Sequence, residues 1–373
     1  MVSTLPATFE ELELAAGRLL TAEDFAYLAA GAGRERSLAE CTAAWSCWHL
    51  RPRVLRDMRT VSTATTVLGR ALDLPVLTAP TALNGLAHRD GEVAVARAVA
   101  AAGSLQVLSS NSSRGVEEIA AAGAAMWFQL YTSTEWTVTH ERITRAEAAG
   151  AAALVVTVDL PELGMRPRGL GRHDTRDPAD VPLLSNLGHS NPGLDWQELE
   201  RIREATRMPL VLKGILHPDD ARHALDSGVA AIIVSNHGAR QLEGELPSAL
   251  ALPEVVEAVA GRCEVYVDSG VREGIDVLRA LALGARAVLV GRPYLWALAV
   301  DGEAGVVALL ARLREELRNA MVLCGQRDAG AVEPDIVVPN RLFTPRIPHP
   351  TTANPWGPRP PSMTGEPRCG GAA

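Results

Sequence analysis

Eight short apolar runs, rich in β-branched residues, recur along this chain with helical patterns between them. They span residues 74–80, 105–110, 126–131, 153–159, 209–215, 230–237, 263–270 and 287–293. Runs of this length that stay apolar throughout, rather than at alternate positions, suit strands buried on both faces. The intervening stretches 91–102, 136–149, 196–206, 219–226, 253–259 and 273–283 carry amphipathic helical periodicity, and 305–322 reads as the helix after the eighth strand. Alternation of strand and helix implies parallel pairing through right-handed crossovers. Eight such units without a Pro/Gly/Ser linker predict an α/β fold, one closed (β/α)8 TIM barrel over residues 74–325, rather than two doubly wound domains.

Four segments lie outside or interrupt the repeat. Residues 1–73 read as an N-terminal helical capping segment, with a helix signal at 21–30 and an irregular stretch containing Arg51 and Arg53. The fourth connection, 160–195, is longer than a normal βα loop, and long loops in compact domains are usually functional lids or disordered. Residues 326–343 form a C-terminal extension, and 344–373 are a Pro/Gly-rich tail expected to be extended or disordered.

Composition narrows the function classes. With 47% hydrophobic and 21% charged residues, the 373-residue chain can bury a large core. A formal net charge of −8 offers no basic footprint for a nucleic acid. The N-terminal stretch is acidic and lacks a basic segment leading into an apolar one, so no signal peptide is expected. No apolar run reaches the roughly 18 residues of a membrane span, and a cytoplasmic location follows as the expectation. The five cysteines are scattered without metal-ligand spacing, so no metal site is expected.

Polar residues stand at the C-terminal ends of nearly all the predicted strands: Thr81, Ser109 with Ser110, Gln129 with Tyr131, Thr157 with Asp159, Lys213, Ser235-Asn236-His237, Asp268, and Gly291-Arg292. In a parallel barrel these ends open on one face, the face that carries barrel active sites. His237, flanked by Asn236 and Gly238 and followed by Arg240, has an imidazole able to accept a proton near neutrality. Asp159 is the carboxylate placed to orient it; the alternative role for Asp159 is a cap on the following loop. Around strands seven and eight, Asp268-Ser269-Gly270-Val271-Arg272 and Gly291-Arg292-Pro293 combine glycines, two arginines and a helix start after Arg272 with free N–H groups. That combination predicts a phosphate site. Tyr27, Tyr131, Arg166 and Arg240 supply the hydroxyl and guanidinium donors that a small carboxylate would need.

Taken together these residues resemble the FMN-dependent α-hydroxy-acid oxidase and dehydrogenase family. The most specific match is Ser235-Asn236-His237-Gly238-Ala239-Arg240-Gln241-Leu242, which is similar to the family's SNHGGRQL signature. Leu50-Arg51-Pro52-Arg53, Pro80-Thr81-Ala82, Ala87-His88-Arg89-Asp90-Gly91-Glu92, Phe128-Gln129-Leu130-Tyr131 and Thr157-Val158-Asp159 also look like family blocks. The resemblance implies FMN as cofactor and oxidation of a small 2-hydroxy acid, with oxygen or another acceptor taking the electrons. It implies His237 as the base supported by Asp159, and Tyr27, Tyr131, Arg166 and Arg240 on the substrate carboxylate and hydroxyl. Thr81, Ala82, Leu83, Ser109, Gln129, Thr157 and Ser235 would line the flavin ring, with Lys213 beside its N1 and C2 carbonyl. Asp268 would bind the ribityl chain, and Gly270, Arg272, Gly291 and Arg292 the phosphate. A homotetramer is implied as well.

The chain departs from the pattern at Ala239, at Glu243 and at Ser269-Gly270 after Asp268. Asn111 stands where several members put an aromatic or small apolar residue against the substrate, which points to a polar or unusual substrate side chain. The fourth connection is shorter than in typical members, so a larger, carrier-bound or peptide-linked hydroxy acid is a further expectation. Two other readings are a non-redox flavin or phosphate-binding barrel enzyme, isomerase or lyase, and an inactive flavin-binding interaction protein.

Overall fold

A computed structural model describes residues 5–168 and 191–342. The tail and most of the fourth connection, with the expectations attached to them, lie outside the described residues.

Three helices open the fold: α1 (Phe9–Leu19), α2 (Ala22–Ala29) and α3 (Arg36–Ala43). α1 starts where Thr8 Oγ accepts the Glu11 N–H at 3.1 Å while the Glu11 carboxylate accepts the Thr8 N–H at 3.2 Å. This reciprocal cap satisfies two donors that the first turn leaves open. β1 (Trp48–Leu50) follows, then a hairpin of β2 (Thr65–Val67) and β3 (Arg70–Leu72).

Eight strands then close into a parallel barrel in sequence order: β4 (Val76–Thr78), β5 (Gln106–Ser109), β6 (Met126–Leu130), β7 (Leu154–Thr157), β8 (Leu210–Ile215), β9 (Ala231–Val234), β10 (Glu264–Val267) and β11 (Ala287–Val290). Closure is made by β11 on β4, with Val288 opposite Val76. Each strand lies within its predicted run. Inside the barrel Leu77, Trp127, Val211, Ile233, Tyr266 and Leu289 form one buried cluster with Val67 and Leu72 of the β2–β3 hairpin. The hairpin is held there by the Glu264 carboxylate, which accepts the Leu68 N–H at 3.2 Å.

The outer helices are α4 (Gly91–Ala101), α5 (Val116–Ala121), α6 (Trp136–Ala148), α7 (Trp196–Glu204), α8 (Pro218–Asp226), α9 (Ser248–Val259), α10 (Gly274–Ala282) and α11 (Arg292–Cys324). Three differences from the sequence reading have physical causes. α5 was not predicted, because six residues show too little periodicity. α9 begins before the expected 253 and runs through Pro253. Proline cannot donate to the carbonyl four residues back, which is that of Ala249, and the Trp48 indole N–H fills the gap at 2.9 Å. α11 begins at Arg292 rather than 305, and its course is broken at Asp301 and Gly302, the latter at φ 57°. α11 is also the one described helix long and apolar enough to cross a membrane, with 56% of its most apolar window buried. It packs on α1, α4 and α10. β12 (Val337–Pro339) finally pairs antiparallel with β1, and Arg53 forms an ion pair with Asp335 at 3.0 Å beside it.

Candidate active site

The strand ends converge as expected, and the chemistry starts at the turn after β9. His237, Gly238 and Ala239 all adopt left-handed backbone, with φ of 57°, 65° and 58°. Two of the three carry side chains, a strained arrangement that persists only when its surroundings enforce it. Here the His237 N–H donates to Ser235 Oγ at 3.1 Å, the Gly238 N–H to Ser269 Oγ at 3.0 Å and the Ala239 N–H to the Asn236 carbonyl at 3.0 Å.

That turn projects the His237 ring between two partners. Nδ1 lies 3.0 Å from Asp159 Oδ1 and Nε2 lies 3.2 Å from the Tyr131 hydroxyl. Asp159 thus contacts the imidazole and does not serve the following loop alone. The two side chains are 15% and 7% exposed. Burial pushes the His237 pKa down, against the pull of Asp159. Burial raises that of Asp159, but His237 and Lys213 bring it below the ordinary carboxylate value. The pair thus rests as neutral imidazole and anionic carboxylate. Nδ1–H donates to Asp159, which leaves the Nε2 lone pair as acceptor. Burial also raises the Tyr131 hydroxyl, which stays protonated.

Opposite His237 stand two cations. Arg166 is 7% exposed, so it is no solvated loop arginine. Its Nε donates to the Arg240 carbonyl at 2.8 Å and its Nη2 to Gln241 Oε1 at 2.7 Å. Burial, then the charge of Arg240, lowers it to about 10. Arg240 Nη1 donates to the carbonyl of Ala30 at 2.8 Å and lies in reach of those of Tyr27 and Leu28, with its guanidinium 5.5 Å from the Tyr27 ring.

Lys213 Nζ donates to Ser235 Oγ at 2.7 Å and pairs with Asp268 at 3.1 Å, both side chains being almost wholly buried. Of the residues expected around a flavin, Thr81, Ala82, Lys213, Asp268, Gly270, Arg272, Gly291 and Arg292 line one cavity. Tyr27, Tyr131, Asn111, Arg166, His237 and Arg240 line it too. Leu83, Ser109, Gln129, Thr157 and Ser235 are not in its wall, and three of them form a chain. Ser109 Oγ donates to Gln129 Oε1 at 3.1 Å and Gln129 Nε2 to Thr157 Oγ at 2.9 Å. The space between the walls, including the part open to solvent, is about 1070 Å³.

The phosphate expectation needs two corrections. The helix start after Arg272 is largely filled: the Arg272 and Glu273 N–H groups go to Asp276 at 3.1 and 3.3 Å, and that of Gly274 to Glu316 at 2.8 Å. α11 also starts at the cavity, with Gly291 as its N-cap and Gly291 and Arg292 in the wall. Second, Gly270 is a glycine because of α3: a Cβ there would lie 2.0 Å from the Cys41 carbonyl oxygen. Both arginines line the cavity. Arg272 lies over the Phe9 ring at 4.3 Å, and Arg292 has a buried Nε with no partner. Burial, then the charges of Arg240 and Arg272, lowers Arg292 to about 9. An unpaired buried guanidinium N–H at a helix start fits an anionic phosphate.

Sequence reasoning missed Tyr294, whose hydroxyl meets Thr81 Oγ, because residues up to 293 were read as strand. It also missed Gln241, which lay in plain view in the signature. Its Nε2 donates to the carbonyls of Asp159 and Glu162 at 3.1 and 3.0 Å while its Oε1 accepts from Arg166.

Comparison with known proteins agrees with this geometry. The family model for FMN-dependent dehydrogenases matches residues 16–339. L-lactate oxidase of Nostoc sp. is 43% identical over 345 residues, covering 86% of this chain and 94% of that protein. 4-Hydroxymandelate oxidase of Amycolatopsis orientalis is 43% identical over 344 residues, 86% of this chain and 95% of that protein. A crystal structure of mandelate oxidase with benzoyl-formic acid superposes with a TM-score of 0.84 at 44% identity, covering 90% of this chain and 98% of that one. These relatives do not favour the isomerase, lyase or inactive readings. With the barrel, the basic phosphate end and the His–Asp pair in place, the chain belongs to the family of FMN-dependent dehydrogenases, the α-hydroxy-acid oxidases among them, and FMN is its cofactor.

Proposed function

We propose that His237 is the base with which this FMN-dependent oxidoreductase converts a small 2-hydroxy acid to the 2-oxo acid. The observation that carries the reading is the line Asp159–His237–Tyr131 in one cavity with Arg166 and Arg240. FMN, when bound, would supply the two-electron acceptor, and oxygen is the reoxidant of this reading, in keeping with relatives named as oxidases. The protein's part is position and charge. Arg166 and Arg240 hold the substrate carboxylate, with the Tyr27 and Tyr131 hydroxyls as further donors. Nε2 of His237 takes a proton from the substrate, and the anionic Asp159 stabilises the imidazolium that results. Lys213 would lie against the flavin ring, and Arg272, Arg292 and the α11 start would hold the phosphate.

Asn111 sets the substrate side chain in this reading. It is 6% exposed, lines the cavity, and its Oδ1 has no partner, so a substrate carrying a donor group beyond its α-carbon completes it. The expectation of a carrier-bound substrate falls on residues outside the described ones. A homotetramer and a cytoplasmic location remain part of this proposal; light scattering and cell fractionation test them.

The deciding experiment is anaerobic. Glycolate, lactate, mandelate, 4-hydroxymandelate and longer 2-hydroxy acids are added in turn to the flavin-loaded protein. Bleaching of the flavin by one of them, absent in His237→Asn, is the expected result; a bound flavin that none of them reduces overturns the reading.

A further inference from the structure

Two neighbouring loops supply different parts of the cavity wall. The loop after β4 gives Thr81 and Ala82, and the loop after β5 gives Asn111. Just past Ala82 the first loop takes a costly course, because Leu83 carries its side chain at φ 54°, in the left-handed region. Backbone of that kind persists only where its surroundings enforce it.

The enforcing contacts run to the second loop. The Leu83 N–H donates to the Asn111 carbonyl at 3.1 Å, and the Gly85 N–H to Ser113 Oγ at 2.8 Å. One carboxyl oxygen joins the same two loops. Glu92, in the first turn of α4, turns back so that Oε1 accepts the Asn84 N–H at 2.9 Å and the Ser113 N–H at 2.8 Å. Asn84 carries the link into the wall: its Nδ2 donates to the Thr81 carbonyl at 3.0 Å and to Thr81 Oγ at 2.9 Å. Thr81 Oγ also meets the Tyr294 hydroxyl, which donates to the Ala79 carbonyl at 3.2 Å. Glu92 and Asn84 are 1% and 0% exposed, and neither lines the cavity. N–H groups that lost this oxygen would have no bulk water to turn to.

We propose that Glu92 is a positioning residue that sets the two loops of the cavity wall against each other: through Asn84 it holds Thr81, and through Ser113 it holds the loop that carries Asn111. The inference rests on the proposed function, in which Thr81 and Ala82 face the flavin and Asn111 faces the substrate side chain. Without the carboxyl, two buried donors lose their acceptor and the loops loosen. What suffers is fit, of the cofactor and of the substrate side chain. The His237–Asp159 contact lies on the loops after β9 and β7 and is left in place.

The test compares three variants. Oε2 of Glu92 has no partner, so Glu92→Gln keeps the one oxygen that the network uses. Glu92→Ala removes it, and Ser113→Ala, the milder change, removes only the acceptor of the Gly85 N–H. Fluorescence titration of apoprotein with FMN should give a Kd raised roughly tenfold in Glu92→Ala and brought back to within about twofold of wild type in Glu92→Gln. In the flavin-loaded protein, lactate and mandelate are compared, two acids that differ only in side chain. Glu92→Ala should raise KM roughly tenfold with a smaller change in kcat, and should shift the ratio of kcat/KM between the two acids. Ser113→Ala should shift that ratio in the same direction by less, which keeps the test decisive if Glu92→Ala fails to fold. A Glu92→Ala protein with a lower Tm but wild-type Kd, KM and ratio overturns the proposal, as does an unmoved ratio in Ser113→Ala or a Glu92→Gln protein as impaired as Glu92→Ala. The FMN titration needs no substrate, so a protein that shows the Kd pattern yet oxidises no hydroxy acid sinks the proposed function while supporting the role of Glu92.

Discussion

Arg292 Nη1 donates to the carbonyl of Gly238 at 3.0 Å, and this bond ties the cationic end of the cavity to the turn that carries the base. Under the proposed function, cofactor grip and base placement share one side chain. Arg292→Ala should therefore weaken FMN binding by roughly 10–100-fold, the range for a lost charge-assisted hydrogen bond, and should also lower kcat in the flavin-saturated protein. Arg292→Lys keeps the charge but not the fork and should fall between. Fluorescence titration of apoprotein with FMN gives the first quantity and steady-state turnover the second.

His237→Asn is the informative removal of the base. Asparagine tolerates the left-handed backbone found at φ 57°, so the turn should survive. Turnover should drop by about 10²–10⁴-fold while flavin content holds, read by stopped-flow flavin reduction and by the visible spectrum.

The direction of the His237 shift sets a pH dependence. Its pKa in the folded protein lies below 6.5, so the base becomes competent as pH rises through a value on the acid side of 6.5. The stability sign follows from the same shift. The unfolded chain takes up the His237 proton at a higher pH than the folded one does, so folding stability is lost as pH falls below 6.5. Acid-side kcat/KM profiles and calorimetric Tm values across that window check both statements.

Gln241 joins the loop after β7 to the loop after β9, with bonds to Asp159, Glu162 and Arg166. Gln241→Leu should free Arg166 from its 2.7 Å contact and raise KM for the hydroxy acid roughly tenfold, with a smaller change in kcat. An unchanged KM would show that Arg166 is held by its Arg240 carbonyl contact alone.

Trp48 and Pro253 make a stability test away from the site. Trp48→Phe removes the donor to the Ala249 carbonyl and should cost about 1–3 kcal/mol in urea unfolding. In a Pro253→Ala background the helix supplies its own N–H to that carbonyl, and the cost should shrink; a double-mutant cycle measures the difference.

The sequence made the barrel legible because its strands are apolar on both faces, a pattern that tertiary context does not disguise. His237, Asp159 and the arginines were legible because they lie at strand ends, where one face collects them. The misreadings share a different cause. Which helix start is open to an anion depends on Asp276 and Glu316, and the second of these lies on α11, far along the chain from the donor it fills. The need for Gly270 depends on the backbone of α3. Neither contact leaves a local pattern. α11 was read short because Asp301 and Gly302 interrupt its periodicity.

The β2–β3 hairpin, with Val67 and Leu72 in the barrel's inner cluster and Leu68 held by Glu264, fills the barrel at the strand starts. Under the proposed function, acid and oxo acid then share the cavity at the strand ends as a doorway, so traffic there has an order. An oxo acid slow to depart stands in the path of the next arrival, and turnover is then governed by how quickly the doorway clears as much as by how fast bonds break.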